Sequence, residues 1–81
     1  METRIALIGI IVENKEKINR VNELLHDNGE YIIGRMGLPY KNKGLSIISV
    51  VMDAPNDVIS TLTGKLGQIS GISVKTVYSK V

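Results

Sequence analysis

Two apolar segments rich in β-branched residues, about 40 positions apart, constrain the fold more than any other feature. They cover residues 5–12 and 45–52. A single carboxylate follows each of them, Glu13 or Asp53, and apolar side chains then recur at helical spacing. Short continuous apolar runs predict central strands, and the change of period predicts a helix that packs on them. The chain is therefore predicted to repeat one strand–helix unit twice.

The end signals of the helices agree with this division. Residues 15–28 form the first predicted helix, with Asn14 as its N-cap and Gly29 as its stop. Glu16 and Arg20 are spaced for an ion pair one turn apart. The second predicted helix starts at the segment 53–55, whose proline suits a first turn.

Two further extended segments complete the predicted sheet. Residues 30–40 contain Pro39, which has no N–H to donate and therefore belongs at a sheet edge or a bend. A polar turn that ends at Gly44 joins this segment to residues 45–52 as a hairpin. Residues 72–81 alternate apolar and polar side chains, which predicts a half-buried last strand.

The order β-α-β-β-α-β predicts a single α+β domain, residues 1–81, with a ferredoxin-like sandwich fold. Right-handed crossovers interleave the two units and give an antiparallel sheet of strand order 4-1-3-2 with both helices on one face. The central strands carry apolar side chains on both faces, so the face without helices stays apolar: Ile5, Leu7 and Ile11 oppose Ala6, Ile8, Ile10 and Val12 on the first, and Leu45, Ile47 and Val51 oppose Ile48, Val50 and Met52 on the third. A bare apolar face is an interaction surface, so we expect self-association through this face or through joined sheet edges.

Composition restricts the possible functions. The absence of cysteine excludes disulfides and thiol catalysis and favours a cytoplasmic protein, and the N-terminal apolar run, residues 5–12, is too short to span a bilayer. The net charge is only +2, without a concentrated basic segment. Weak nucleic-acid binding through scattered lysines stays as an alternative function. The lysines concerned are Lys41, Lys43, Lys75 and Lys80.

The sequence offers no persuasive nucleophile–base pair and no phosphate-binding loop, so it predicts a protein without enzymatic activity and without a cofactor. A catalytic site shared between subunits is the alternative. His26 is the only histidine and a weak metal candidate, although a histidine in the last turn of a helix is favoured there by the helix dipole. Glu13 and Asp53 are interpreted as strand-end and helix-cap residues, with an acid–base pair as the alternative.

The segment 34–40 is the most unusual part of the chain and the candidate effector site or subunit interface. Its glycines permit close approach, its arginine suits a carboxylate or phosphate, and its tyrosine can stack. A bent edge strand with a bulge is the structural alternative. The predicted site consists of Gly34, Arg35, Met36, Gly37, Leu38, Pro39 and Tyr40, with Glu13 and Asn14 from the first loop as neighbours.

The same segment, together with residues 43–48 and 66–75, resembles a small family of proposed regulators of the iron-only hydrogenase system. The resemblance extends from Ile5 to Tyr78. It implies an ACT-like fold, similar to the C-terminal effector domain of nickel-responsive repressors. It also implies a cytoplasmic dimer or tetramer. The bare sheet face and the segment 34–40 add the hypothesis that a small effector or a regulatory partner protein binds between subunits. Residues 13–16 lack the Pro-Gly of amino-acid-binding ACT domains, and one histidine without cysteine cannot supply the nickel ligands of those repressors.

Overall fold

The computed structural model describes residues 2–80 and contains the predicted strands and helices in the predicted order. The strands are β1 (Arg4–Val12), β2 (Ile32–Tyr40), β3 (Leu45–Ala54) and β4 (Ile72–Tyr78), and the helices are α1 (Ile18–Asp27) and α2 (Asn56–Gly67). Short 3-10 turns occupy Lys15–Lys17, Gly29–Tyr31 and Lys41–Lys43. The last strand ends at Tyr78, and the predicted terminal residue Val81 lies outside the described residues.

The four strands form one antiparallel sheet in the order β2-β3-β1-β4, which confirms the predicted order 4-1-3-2. The two apolar runs are the central strands, and they pair from Arg4 opposite Ala54 to Val12 opposite Ser46. Pro39 lies in β2 at the edge of the sheet, as its missing N–H predicts. A bulge interrupts the β2–β3 pairing between Ile32 and Gly34.

The core lies between one face of the sheet and the two helices. Alternate residues of β1 and β3 enter it: Ala6, Ile8, Ile10, Val12, Ile48, Val50, Met52 and Ala54. The helices contribute Val21, Leu24, Leu25, Ile59, Leu62 and Leu66. Every one of these side chains is aliphatic or methionine, so the removal of apolar surface from water is the main force that holds the layers together.

The first helix begins later than the sequence predicts. Asn14 does act as a cap, because its Oδ1 accepts a hydrogen bond of 3.0 Å from the Glu16 N–H, but the turn that it caps is 3-10. The α-helical spacing starts only at Ile18, so Glu16 is not one α-turn away from Arg20. Arg20 forms its ion pair with Glu23 instead, and the predicted Glu16–Arg20 pair is therefore wrong.

The second helix also begins later than predicted. Strand β3 continues through Ala54, because that residue still pairs with Arg4 of β1. Pro55 is the N-cap, and Asp53 lies within the strand opposite Ile5, so its predicted role as a helix cap is wrong. None of the helices within residues 2–80 is long and apolar enough to cross a membrane.

Candidate functional site

The sheet face that points away from the helices, here called the open face, is built by the same alternation that builds the core. Along β1, the buried residues Ile8 and Ile10 alternate with the exposed residues Leu7 and Ile11. The pairing register carries this alternation across the other strands. The open face comprises Ile5, Leu7, Gly9 and Ile11 of β1, Gly34, Met36, Leu38 and Tyr40 of β2, Leu45, Ile47, Ser49, Val51 and Asp53 of β3, and Ser73, Lys75 and Val77 of β4.

The open face is largely apolar and exposed. Met36 is 67% exposed, Val77 65% and Leu38 52%. Its charged strand residues, within the described chain, are one aspartate, Asp53, and one lysine, Lys75. Contiguous exposed apolar surface of this kind is typical of interaction sites. The uncovered sheet face is thus apolar, as the sequence predicts, and self-association through it stays a prediction.

The open face is uneven, because its rows of side chains differ in size. One row of paired residues, here called the central lane, crosses all four strands and consists of Met36, Ser49, Gly9 and Lys75. The row on one side, the Leu7 ridge, consists of Val51, Leu7 and Val77. The row on the other side, the Ile11 ridge, consists of Leu38, Ile47 and Ile11. Each ridge runs about 6.6 Å from the lane, because it lies two residues further along each strand.

The predicted site segment in β2 divides between the two faces of the sheet. Met36, Leu38 and Tyr40 are on the open face, whereas Arg35 is on the helix side. The Arg35 Nη2 donates a hydrogen bond of 2.9 Å to the Asn22 Oδ1 on α1. The structure therefore does not bring Arg35 together with Met36 and Tyr40, because neighbouring residues of a strand point to opposite faces.

The remainder of that segment and the first loop are placed as follows. Gly37 and Pro39 alternate with the open-face residues and are on the helix side, beyond the cover of the helices. Glu13 follows β1 at the end of the sheet where Tyr40 lies, and its N–H donates a 2.8 Å hydrogen bond to the Gly71 carbonyl. Asn14 already caps the 3-10 turn, so Glu13 is the first-loop residue with a side chain available at this end.

The turn at Gly71 explains why the first loop packs closely here. Gly71 has a φ of 77°, a left-handed conformation that favours glycine. A Cβ at this position would lie 3.2 Å from the Asn14 Cβ, closer than an ordinary contact. The loop after β1 and the turn before β4 are thereby held together, which fixes the end of the open face.

The described residues contain no cluster of side chains suited to bind a metal or nucleic acid. No cavity lies within residues 2–80, and no three His, Cys, Asp or Glu side chains among them are grouped to hold a metal. His26 is exposed in the last turn of α1. The candidate lysines are scattered: Lys41 and Lys43 lie in the hairpin turn, Lys75 on the open face, and Lys80 beyond the far end of β4. Roughly 26 Å separates the two ends of the sheet, so these lysines form no common patch.

Comparison with known proteins identifies the family. The profile of TM1266-like proteins, described as "Iron-only hydrogenase system regulator, putative", matches residues 4–76. The chain belongs to this family. The uncharacterized protein TM1266 from Thermotoga maritima is 49% identical, with a TM-score of 0.92 over 98% of this chain and 100% of that chain. The family resemblance that the sequence indicates is thereby confirmed.

More distant structures share the fold of the TM1266 family. A formyltetrahydrofolate deformylase from Pseudomonas putida KT2440 has a TM-score of 0.65 at 13% identity, over 90% of this chain and 28% of that chain. The PII-like nitrogen regulatory protein CPII from Thiomonas intermedia K12 has a TM-score of 0.57 at 14% identity, over 94% and 91% of the two chains. Identities this low show the fold alone. No functionally curated protein matches the chain.

Proposed function

We propose that this member of the TM1266 family is a homo-oligomeric regulatory module of the iron-only hydrogenase system. Its copies assemble through the open face, and a small effector or a partner protein binds where two copies meet. The observation that carries the proposal is the exposed apolar surface across all four strands, with a core on the opposite side that is already complete. A domain of this size gains much from covering such a face, because a small core provides little stability to spare.

The size of the open face is compatible with a dimer. Four strands about 4.8 Å apart, each contributing about eight residues, cover roughly 500 Å² in projection. Two copies would therefore bury about 1,000 Å², which is the lower limit for a specific interface. An interface at this limit is stable enough to form and weak enough to respond to a bound effector, which suits a regulatory protein.

The effector or partner site is proposed at the hairpin end of the open face. Met36, Leu38 and Tyr40 offer apolar and aromatic surface there, and Glu13 lies at the same end of the sheet. Arg35 stands apart, since it faces α1 and bonds to Asn22. Because the lysines do not converge, no specific observation favours nucleic-acid binding as the function.

The proposal is tested first on the wild-type protein, purified without oxygen. Sedimentation velocity over a range of protein concentrations gives the number of subunits, and native mass spectrometry of the same sample gives the mass of any retained ligand. We expect a dimer or tetramer. A protein that stays monomeric up to several hundred micromolar would overturn the proposed function, and a ligand-free oligomer would favour a partner protein over a small effector.

Two alanine variants in the same strand separate the faces of β2. Tyr40→Ala is expected to raise the dissociation constant of the assembly by roughly tenfold, because tyrosines at interfaces commonly contribute more than about 1 kcal/mol. Arg35→Ala is expected to leave the dissociation constant unchanged, since its guanidinium contacts α1 on the other side. Analytical ultracentrifugation measures both. If the two variants changed the dissociation constant equally, the open-face residues of β2 would not be the part of that strand that forms the interface.

A further inference from the structure

Gly9 lies in the middle of a central strand, although nothing within its own chain requires a glycine there. Its φ is not positive, and a Cβ built on it would meet only the Lys75 carbonyl oxygen, at an ordinary 3.9 Å. Glycine weakens the interior of a strand, so a residue with a side chain would serve the single domain better. Gly9 is also exposed on the open face, next to the small Ser49. Close approach by another surface explains both residues.

From this relief we infer that a second copy of this chain seats its Ile11 ridge in the central lane, an inference that rests on the proposed function. A two-fold axis that lies across the strands, midway between lane and ridge, makes the contact reciprocal. Each copy then places the side chains of Ile11 and Ile47 over Gly9 and Ser49 of the other. The same face thus provides the projecting row and the row that receives it, as an isologous interface requires.

The same axis fixes the contacts of the other open-face residues, and at the β2 edge it brings Leu38 against the partner's Met36. The axis brings Tyr40 of one copy over the partner's Gly34, which is exposed and has open space where a Cβ would stand. Leu45 comes over the partner's Val51, and Lys75 comes beside the partner's Ser73. Large side chains thereby meet small ones in two separate places, at Gly9 and at Gly34. These two matches, which come from one symmetry operation, support the inferred placement.

The opposite offset, with the Leu7 ridge in the lane, is less favourable. It would set the carboxylate of Asp53 against the partner's Ile47 and remove that charge from water without a partner. The offset that we infer leaves the row of Ile5 and Asp53 beyond the edge of the contact, where the carboxylate stays solvated. The position of Asp53 therefore favours the Ile11 ridge, and the carboxylate that this offset brings to the contact is Glu13, which comes to the partner's Leu7 at the rim.

A filled lane should prevent assembly. Gly9→Val places a branched side chain in the lane and is expected to raise the dissociation constant at least tenfold, while Gly9→Ala gives an intermediate increase. Gly37→Val is the matched control, because it makes the same exchange in a strand of the same sheet, at an exposed position on the helix side. Sedimentation velocity gives the dissociation constants, and far-UV circular dichroism verifies that each variant is folded. A Gly9→Val variant that is folded and assembles like the wild type would overturn the inference.

A double-mutant cycle then identifies the ridge. The double variant Gly9→Val/Ile11→Ala has a shorter ridge side chain. It is expected to assemble at least threefold more tightly than Gly9→Val alone, although Ile11→Ala by itself weakens the wild-type assembly. Gly9→Val/Leu7→Ala is expected to show no recovery. Additive effects for Ile11, or recovery with Leu7, would reject the assignment while leaving assembly through the open face intact. A monomeric wild type, by contrast, would reject the proposed function itself.

Discussion

Alanine in place of Ile8 is expected to lower the free energy of unfolding by about 2–5 kcal/mol, the usual cost of a cavity left by a large aliphatic side chain. Ile8 is fully buried, between Val50 of β3 and Thr76 of β4 on the helix side of the sheet. A domain of 81 residues has only about 4–12 kcal/mol to lose. The variant should therefore be close to the limit of folding at ordinary temperatures.

Urea denaturation followed by far-UV circular dichroism measures this loss, and Leu7→Ala is its matched control. Leu7 is the preceding residue of the same strand but lies 44% exposed on the open face. The Ile8→Ala loss should be the same at every protein concentration, because it belongs to the single domain. The smaller Leu7→Ala loss should grow with concentration, because it belongs to the assembly. Equal and concentration-independent losses would contradict the assignment of the two faces.

The architecture of the sheet could be predicted because it depends on a pattern of period two. The runs 5–12 and 45–52 are apolar on both faces, and only a central position in the sheet uses both. Pro39 excludes a central position for its own strand. Strand order, edge strand and open face follow from these constraints, which are all local in the sequence. Once these constraints are met, few alternative pairings of the strands are left.

The candidate site was less accessible to sequence reasoning, because it depends on direction and register. The string 34–40 reads as one unit, yet alternation sends Arg35 to the helix side and Met36 to the open face. The two-residue period of a strand, applied to residues 34–40, places Arg35 and Met36 on opposite faces of the sheet. Gly9 has no comparable local signal: a glycine in an apolar run becomes informative only when the pairing register places it beside Ser49 and between two ridges.

The errors at the helix starts have a common physical cause. Capping residues mark where a chain leaves its strand, but the pairing of β3 with β1 decides how long the strand continues. The local signals therefore predict Asp53 in a cap, whereas it lies in the strand. In the first unit, a 3-10 turn intervenes after Asn14 and changes which charged side chains are neighbours. Boundaries thus depend on tertiary pairing that local signals do not contain.

Aspartate in place of Ile47 is expected to abolish assembly at protein concentrations where the wild type is fully associated. Ile47 lies on a central strand in the middle of the open face, and it is 37% exposed before any partner covers it. Covering the variant would bury a carboxylate in each copy, among apolar side chains and without a cation nearby. The cost of two such burials should reach at least about 3 kcal/mol, which corresponds to more than a hundredfold in the dissociation constant.

Sedimentation velocity of Ile47→Asp gives the result, with Thr61→Asp as the control for added charge, since Thr61 is exposed on α2 at the opposite side of the domain. The control should assemble like the wild type. If Ile47→Asp remains folded and associated as well, the copies are joined through the edges β2 or β4 instead, since backbone pairing at an edge tolerates a charge on the open face. If Ile47→Asp is monomeric and folded while Thr61→Asp is not monomeric, the open face is the surface on which this regulator assembles.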